Sequence, residues 1–330
     1  MLLFGRFPTY LLATTAAVAM TFGLRMTLAL PLVASRSLAP EQVNAIASQT
    51  TVIIAQGLQE GDIEARQEWN PGSGVIVARD GNTYSVLTAL HVVRTREVVY
   101  GVRTSDGKVH QVDDVDTQTN IIPFGEELGE FGETIEGLDL AIVTFTSNQD
   151  YPIAVMGESD HIDRGAPVYI SGWPNPDDDN ARRVREFREG NLTDIANPPS
   201  DDGGYSLLYT NETRRGMSGG PVFNQEGELV GIHGRGRAQE DRYCVDPELS
   251  QNNSCGIQTL HFIDRVQREQ LALAFAKPPV APELIAHGLT NMERADTIED
   301  IYKDFTFLRS LLRDGPSGGC SSLLLGDPCN

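Results

Sequence analysis

What most limits the folds open to this chain is a succession of short β-branched and aromatic runs, cut at near-regular intervals by turn residues. "SGVIVAR" (73–79), "YSVLTALHVV" (84–93), "VVYGVRT" (98–104), "LDLAIVTF" (138–145) and "APVYISGW" (166–173) come first. "YSLLYTNET" (205–213), "GPVFN" (220–224) and "ELVGIHG" (228–234) continue the pattern, with "RDGN" and "NQEG" as turns. Runs of this length pair as strands, because β-branched and aromatic side chains suit a pleated, half-buried surface. Many short strands with no helical period between them predict an all-β barrel or sandwich and argue against a doubly wound α/β sheet.

Helical periodicity appears only at the margins. "PEQVNAIASQTTVII" (40–54) reads as a short helix running into a strand. After about residue 260, "LHFIDRVQREQLALAFA" (260–276) and "TNMERADTIEDIYKDFTFLRSLLRD" (290–314) carry apolar residues at helical spacing. "NPDDDN" and "NPPSDDGG" are polar surface loops, and the tail closes on "GPSGGCSSLLLGDPCN".

The chain of 330 residues is 40% hydrophobic and carries a net charge of −20. Residues 1–39 hold Arg6, Arg25 and Arg36 and no acids, so the acidity belongs to the remainder. A field of that sign repels phosphate backbones, which excludes nucleic acid as the expected partner. Two apolar stretches follow Arg6 and Arg25, and small residues at Val33 and Ser35 suit a signal-peptidase site. Residues 1–39 are therefore expected to be a signal peptide or N-terminal anchor, and the mature protein to be periplasmic or secreted with no stable membrane span. Four cysteines lie late, and their spacing suggests local disulfides Cys244–Cys255 and Cys320–Cys329 in an exported protein. They lack C-x-x-C spacing and nearby histidines, so no metal is expected, and no cofactor.

Three local signals carry chemistry, in chain order: His91 in "TALHVV", Asp139 in "LDLAIV" and Ser218 in "RRGMSGGPVFN". A serine hydroxyl is a weak nucleophile until a histidine takes its proton, and a carboxylate must hold that histidine in the right tautomer. Gly216 lets the backbone turn so that the amides of Gly216 and Ser218 both point outward as an oxyanion hole. Each signal alone has an ordinary structural explanation: an edge histidine, a turn aspartate, a flexible glycine turn.

Together the three resemble the trypsin/chymotrypsin-like serine endopeptidases, over about residues 50–265. The resemblance implies two six-stranded antiparallel β-barrels, about 50–150 and 155–265, with the site in the cleft between them. It implies a polypeptide substrate, a protease domain over 40–268 and a helical C-terminal extension over 269–330. Met217 stands where zymogens of the family carry an aspartate, so activation by ion-pairing a new N-terminus is not available, and the chain resembles bacterial members. Thr213 and His233 resemble the P1-pocket residues of glutamyl endopeptidases, whereas Glu212 at the adjacent position would favour a basic P1. Gly234 and Gly236 are expected to pair with substrate backbone by β-addition. Deg/HtrA-type proteases share the barrels but append PDZ domains, which the helical reading of the last stretch does not match. Two other classes compete: a catalytically silent protease-fold binding protein, and an esterase with "GMSGG" as its nucleophile elbow. The elbow needs a helix after the serine, and "PVFNQEGELVGIHG" reads as a hairpin.

Overall fold

The computed structural model describes residues 37–59, 70–95, 98–112, 120–129, 134–177, 183–237, 244–245 and 252–276. The expected leader, the expected second C-terminal helix and the expected Cys320–Cys329 pairing lie outside the described residues.

Helix α1 (Pro40–Thr50) starts at a proline, whose fixed φ suits the first helical position. The Gln42 side chain accepts a hydrogen bond from the Ala39 N–H at 3.0 Å. Val43, Ala47 and Thr50 form its buried stripe, spaced by four and three residues as one helical face requires. The helix passes directly into strand β1 (Thr51–Gln56), as the sequence predicts.

β1 lies within an antiparallel seven-stranded sheet of order β5-β4-β1-β2-β3-β7-β6. Its other strands are β2 (Gly72–Asp80), β3 (Thr83–Thr88), β4 (Tyr100–Arg103), β5 (Val109–Val112), β6 (Ile121–Leu128) and β7 (Thr134–Thr146). The second unit is a closed six-stranded barrel of order β10-β13-β12-β11-β8-β9. It uses β8 (Pro167–Gly172), β9 (Glu186–Ile195), β10 (Leu207–Tyr209), β11 (Pro221–Phe223), β12 (Leu229–Arg235) and β13 (Ser254–Gln258). The all-β, two-unit expectation holds, but only the second unit is a closed six-stranded barrel; the first is a seven-stranded half-barrel where a second six-stranded barrel was expected.

The two units have separate cores: Val52, Ile54, Ile76, Val86 and Val102 in the first, and Val168, Ile170, Leu207, Val222 and Val230 in the second. A third cluster joins them, running from Val43 of α1 through Val75, Leu87 and Ile142 to Phe223 and Phe262. Met217, beside the candidate nucleophile, is fully buried in the second core against Gly172. Burying a side chain of that size is worth about 1.5–3 kcal/mol. The position that holds an activating aspartate in zymogens here anchors its loop hydrophobically.

Helix α2 (Thr259–Arg268) buries Thr259, Phe262, Ile263 and Val266. The predicted helix runs on to Ala276, but the structure ends it at Arg268. Gln270 takes a φ of 55°, and the chain turns back so that Phe275 bridges Ala78 and Ala276 bridges Val155. Phe275 meets Phe262 edge-on at 5.9 Å, so tertiary packing overrides the apolar period there. Cys244 and Cys255 form the expected disulfide, with Cα atoms 5.9 Å apart. Among the described residues, no helix is long and apolar enough to cross a membrane.

Candidate active site

His91 stands on a single 3-10 turn (Leu90–Val92) at the end of β3, where Leu90 and Val92 are buried and the imidazole is left at the surface. Asp139 comes from β7. Two residues before it, Gly137 takes a φ of 88° opposite Gly125, at an irregularity in the β6–β7 register. A Cβ at Gly137 would lie 2.8 Å from the Phe124 carbonyl, so only glycine allows the bulge that re-aims the strand toward His91.

The two side chains meet. His91 Nδ1 lies 2.6 Å from Asp139 Oδ2, and the His91 backbone N–H donates to Oδ1 at 2.9 Å. Asp139 is 1% exposed, and burial alone would push its pKa up. The nearby His91 charge and the hydrogen bonds from His91 and Tyr205 outweigh that and hold it below the usual carboxylate value. An ionised Asp139 only accepts, so Nδ1 carries a proton, and in the neutral imidazole Nε2 is the nitrogen left with a lone pair. That is the tautomer a general base needs.

Ser218 lies on the loop between β10 and β11, and its hydroxyl donates to the Gly234 carbonyl at 3.0 Å. Among the described residues this is its hydrogen bond, and none joins it to His91. The surrounding backbone is held carbonyl by carbonyl. The Asn175 N–H donates to Arg215 O at 2.7 Å, and the Gly220 N–H donates to Met217 O at 3.0 Å. In a trans peptide the next N–H points opposite the C=O, so the Gly216 and Ser218 amides face the other way. Met217 N–H is used within the loop by Arg214 O. Among the described residues the Gly216 and Ser218 amides have no acceptor.

Sequence reasoning missed the residues that hold this loop. Ser73, at the start of β2, donates its N–H to Ser218 O and its hydroxyl to Gly216 O, both at 2.8 Å. The Trp173 N–H in turn donates to Ser73 Oγ at 2.9 Å. Flanking glycines in "GSG" were the available signal: a Cβ at Gly72 would meet Val92 at 2.5 Å. Arg183 is buried and donates to Trp173 O and to Asn175 Oδ1, each at 2.7 Å. Its burial lowers its pKa to about 10, so it stays charged beneath Gly216 at neutral pH. No sequence signal marks it.

The residues expected to set specificity have the following surroundings. Thr213 Oγ1 is 3.2 Å from Ser254 Oγ, and Ser254 donates its own proton to Asn211 O at 2.8 Å. A Cβ at Gly236 would lie 3.3 Å from Thr213 Oγ1, so Gly236 borders that hydroxyl. His233 is 2% exposed, and its burial lowers its pKa to about 3, leaving it neutral. Its Nδ1 is 2.8 Å from the buried Tyr209 hydroxyl. The ring is also hydrogen-bonded to the Cys255 backbone, so both of its partners lie inside the barrel. The Glu212 side chain is 75% exposed and faces Arg237 at 3.6 Å, away from any pocket floor.

With this geometry in view, the comparisons with known proteins define a class first. The trypsin-like peptidase domain matches residues 72–232, just short of half the chain, spanning His91, Asp139 and Ser218. Among individual relatives, the probable periplasmic serine endoprotease DegP-like of Marinomonas sp. (strain MWYL1) is 29% identical over 175 residues, 53% of this chain and 32% of that protein. Serine protease HTRA4 of Homo sapiens is 25% identical over 164 residues, 49% of this chain and 29% of that protein. The chain thus spans about a third of the length of the curated relatives it matches. Two solved structures are similar: the HtrA-type protease AlgW with tripeptide (TM-score 0.49, 18% identity) and the serine endoprotease from Yersinia pestis (TM-score 0.45, 17% identity). Each alignment covers 70% of this chain, and 64% and 66% of the respective structures. The family match and the serine-protease relatives support a trypsin-like serine protease.

Proposed function

We propose that the chain is a serine endopeptidase that hydrolyses peptide bonds through an acyl-enzyme on Ser218. The observation that carries this is the His91–Asp139 pair together with a serine whose loop lies, at Gly219, against Ala89 two residues before His91, and whose Gly216 and Ser218 amides have no acceptor among the described residues. When substrate binds, the Ser218 hydroxyl leaves Gly234 O and passes its proton to His91 Nε2 as Oγ attacks the scissile carbonyl. The Gly216 and Ser218 amides receive the negative charge on the carbonyl oxygen, and His91 then protonates the departing amine. Water, deprotonated by His91, releases the acid product. Asp139 stays ionised throughout and steadies the imidazolium.

The pocket supports cleavage after Glu or Asp. Thr213 and a neutral His233 bring a hydroxyl and an imidazole of the kind that donates to a carboxylate once they release their present partners, Ser254 and the Cys255 backbone, and the exposed Glu212 side chain faces Arg237. Substrate backbone pairs with residues 233–236 by strand addition, and the relatives favour a periplasmic or secreted setting. A fluorophosphonate probe tests the core reading: it labels the protein and not Ser218→Ala, and Asp139→Asn lowers kcat about 10⁴-fold. Absence of labelling in active-site-intact protein would favour a catalytically silent binding protein. A peptide library tests the pocket, and equal cleavage at all P1 residues would remove the acidic preference alone.

A further inference from the structure

The carboxylate of Asp139 has a third donor that the His-Asp-Ser reading does not use. The Tyr205 hydroxyl donates to Oδ2, the same oxygen that accepts from His91 Nδ1. Tyr205 is fully buried. Its pKa stands well above the ordinary phenol value, raised by burial and then by the charge of Asp139, so it remains a donor at any working pH.

The surroundings are built around this contact. Tyr205 ends a tight loop of the second unit that reaches over to β7. The Asp139 N–H donates to Gly203 O at 2.9 Å, and the Ile135 N–H donates to Asp202 Oδ1 at 2.8 Å. Gly203 and Gly204 take φ values of 80° and 74°. A Cβ at Gly203 would crowd both the Tyr205 ring at 3.0 Å and the Asp139 Cβ at 3.1 Å. From the other side, the Arg235 guanidinium lies 4.4 Å from the Tyr205 ring centroid and pairs with Asp202 at 2.8 Å. Gly234 leaves room for the phenol: a Cβ there would stand 2.3 Å from its oxygen. Backbone shape, a buried cation and a missing side chain all converge on one hydroxyl.

We propose that Tyr205 is a positioning residue for the peptidase reaction, fixing the Asp139 carboxylate and sharing the charge that faces His91. The inference rests on the serine-peptidase reading above. The phenol keeps Oδ2 in line with His91 Nδ1 where no water reaches it, so the imidazole is held on axis as charge develops. Loss of one hydrogen bond to a buried charge predicts a tenfold to hundredfold fall, on the order of one hydrogen bond to a charged group.

The test is Tyr205→Phe in the full chain, which keeps the ring under Arg235 and removes one oxygen. The expected result is kcat about ten- to a hundredfold lower on a peptide substrate, with KM little changed and thermal unfolding near wild type. The His91 Nδ1–H proton resonance, which needs no turnover, is expected to move downfield as Oδ2 loses its second donor. Gly234→Ala reaches the same bond from the opposite side by displacing the phenol, and should move the same resonance even if Tyr205→Phe folds poorly. Unchanged kcat and an unmoved resonance in a folded, probe-reactive Tyr205→Phe protein would overturn the positioning role and leave the peptidase reading standing. A wild-type protein that neither labels with fluorophosphonate nor cleaves peptide overturns both.

Discussion

Neutral, buried His233 makes the fold acid-sensitive in a way that can be calculated. In the unfolded chain this imidazole titrates near its ordinary value of about 6.5, whereas burial holds it to about 3 in the native state. Between those two values the unfolded state binds the extra proton, so stability rises with pH and is lost as pH falls. Going from pH 7.5 to pH 5.0, this one group removes about 2 kcal/mol, the free energy of protonating it only in the unfolded chain. Asp139 works in the same direction at lower pH, because its native pKa is depressed and its contribution fades as it protonates. The His233 share is isolated by difference. Urea unfolding at both pH values, on wild type and on His233→Gln, should show the wild type losing about 2 kcal/mol more than the variant. Gln cannot titrate but offers an acceptor to the Tyr209 hydroxyl, which limits the loss at pH 7.5 to about 1 kcal/mol. Equal losses in the two proteins between pH 7.5 and 5.0 would refute the argument, and with it the neutral donor proposed for the P1 pocket.

Two further outcomes test the frame of the site. Gly219→Ala should be destabilised by about 3 kcal/mol or more in denaturant melts: its φ is 82°, and the new methyl would sit 2.1 Å from the Ser73 carbonyl oxygen. Replacing Cys244 and Cys255 together by serine should remove about 3 kcal/mol, the loop-entropy value for an 11-residue separation, and reducing agent should lower the melting temperature of wild type by more than that of the variant.

The legible parts of this molecule were those written in local pattern. The α1-to-β1 passage could be read because Pro40 and the spacing of Val43, Ala47 and Thr50 settle it within one segment. Alternation and turn residues gave most strands of both units. The His91–Asp139 pairing was readable because its residue types have few other uses in that order. Ser73, Arg183 and Tyr205 were not, since a serine on a strand, an arginine in an acidic loop and a tyrosine before a strand are commonplace. Their meaning lies in contacts with residues 66–145 positions away, or in a buried carbonyl that local sequence does not show. The helix expected to run to Ala276 failed for the same reason, because Phe275 is claimed by Ala78 and Phe262 rather than by its own neighbours.

Ser73 has a consequence for when this protein can act. It belongs to the first sheet, yet it is the group that holds Gly216 and Ser218 of the second barrel in place. During synthesis the first sheet is complete before the serine loop exists, and a loop without Ser73 beneath it lacks its two carbonyl anchors. On the proposed serine-peptidase reading, hydrolytic competence arrives only once both halves have closed on each other. On that reading a half-finished chain has no assembled oxyanion loop, and the appearance of activity would report that folding is done.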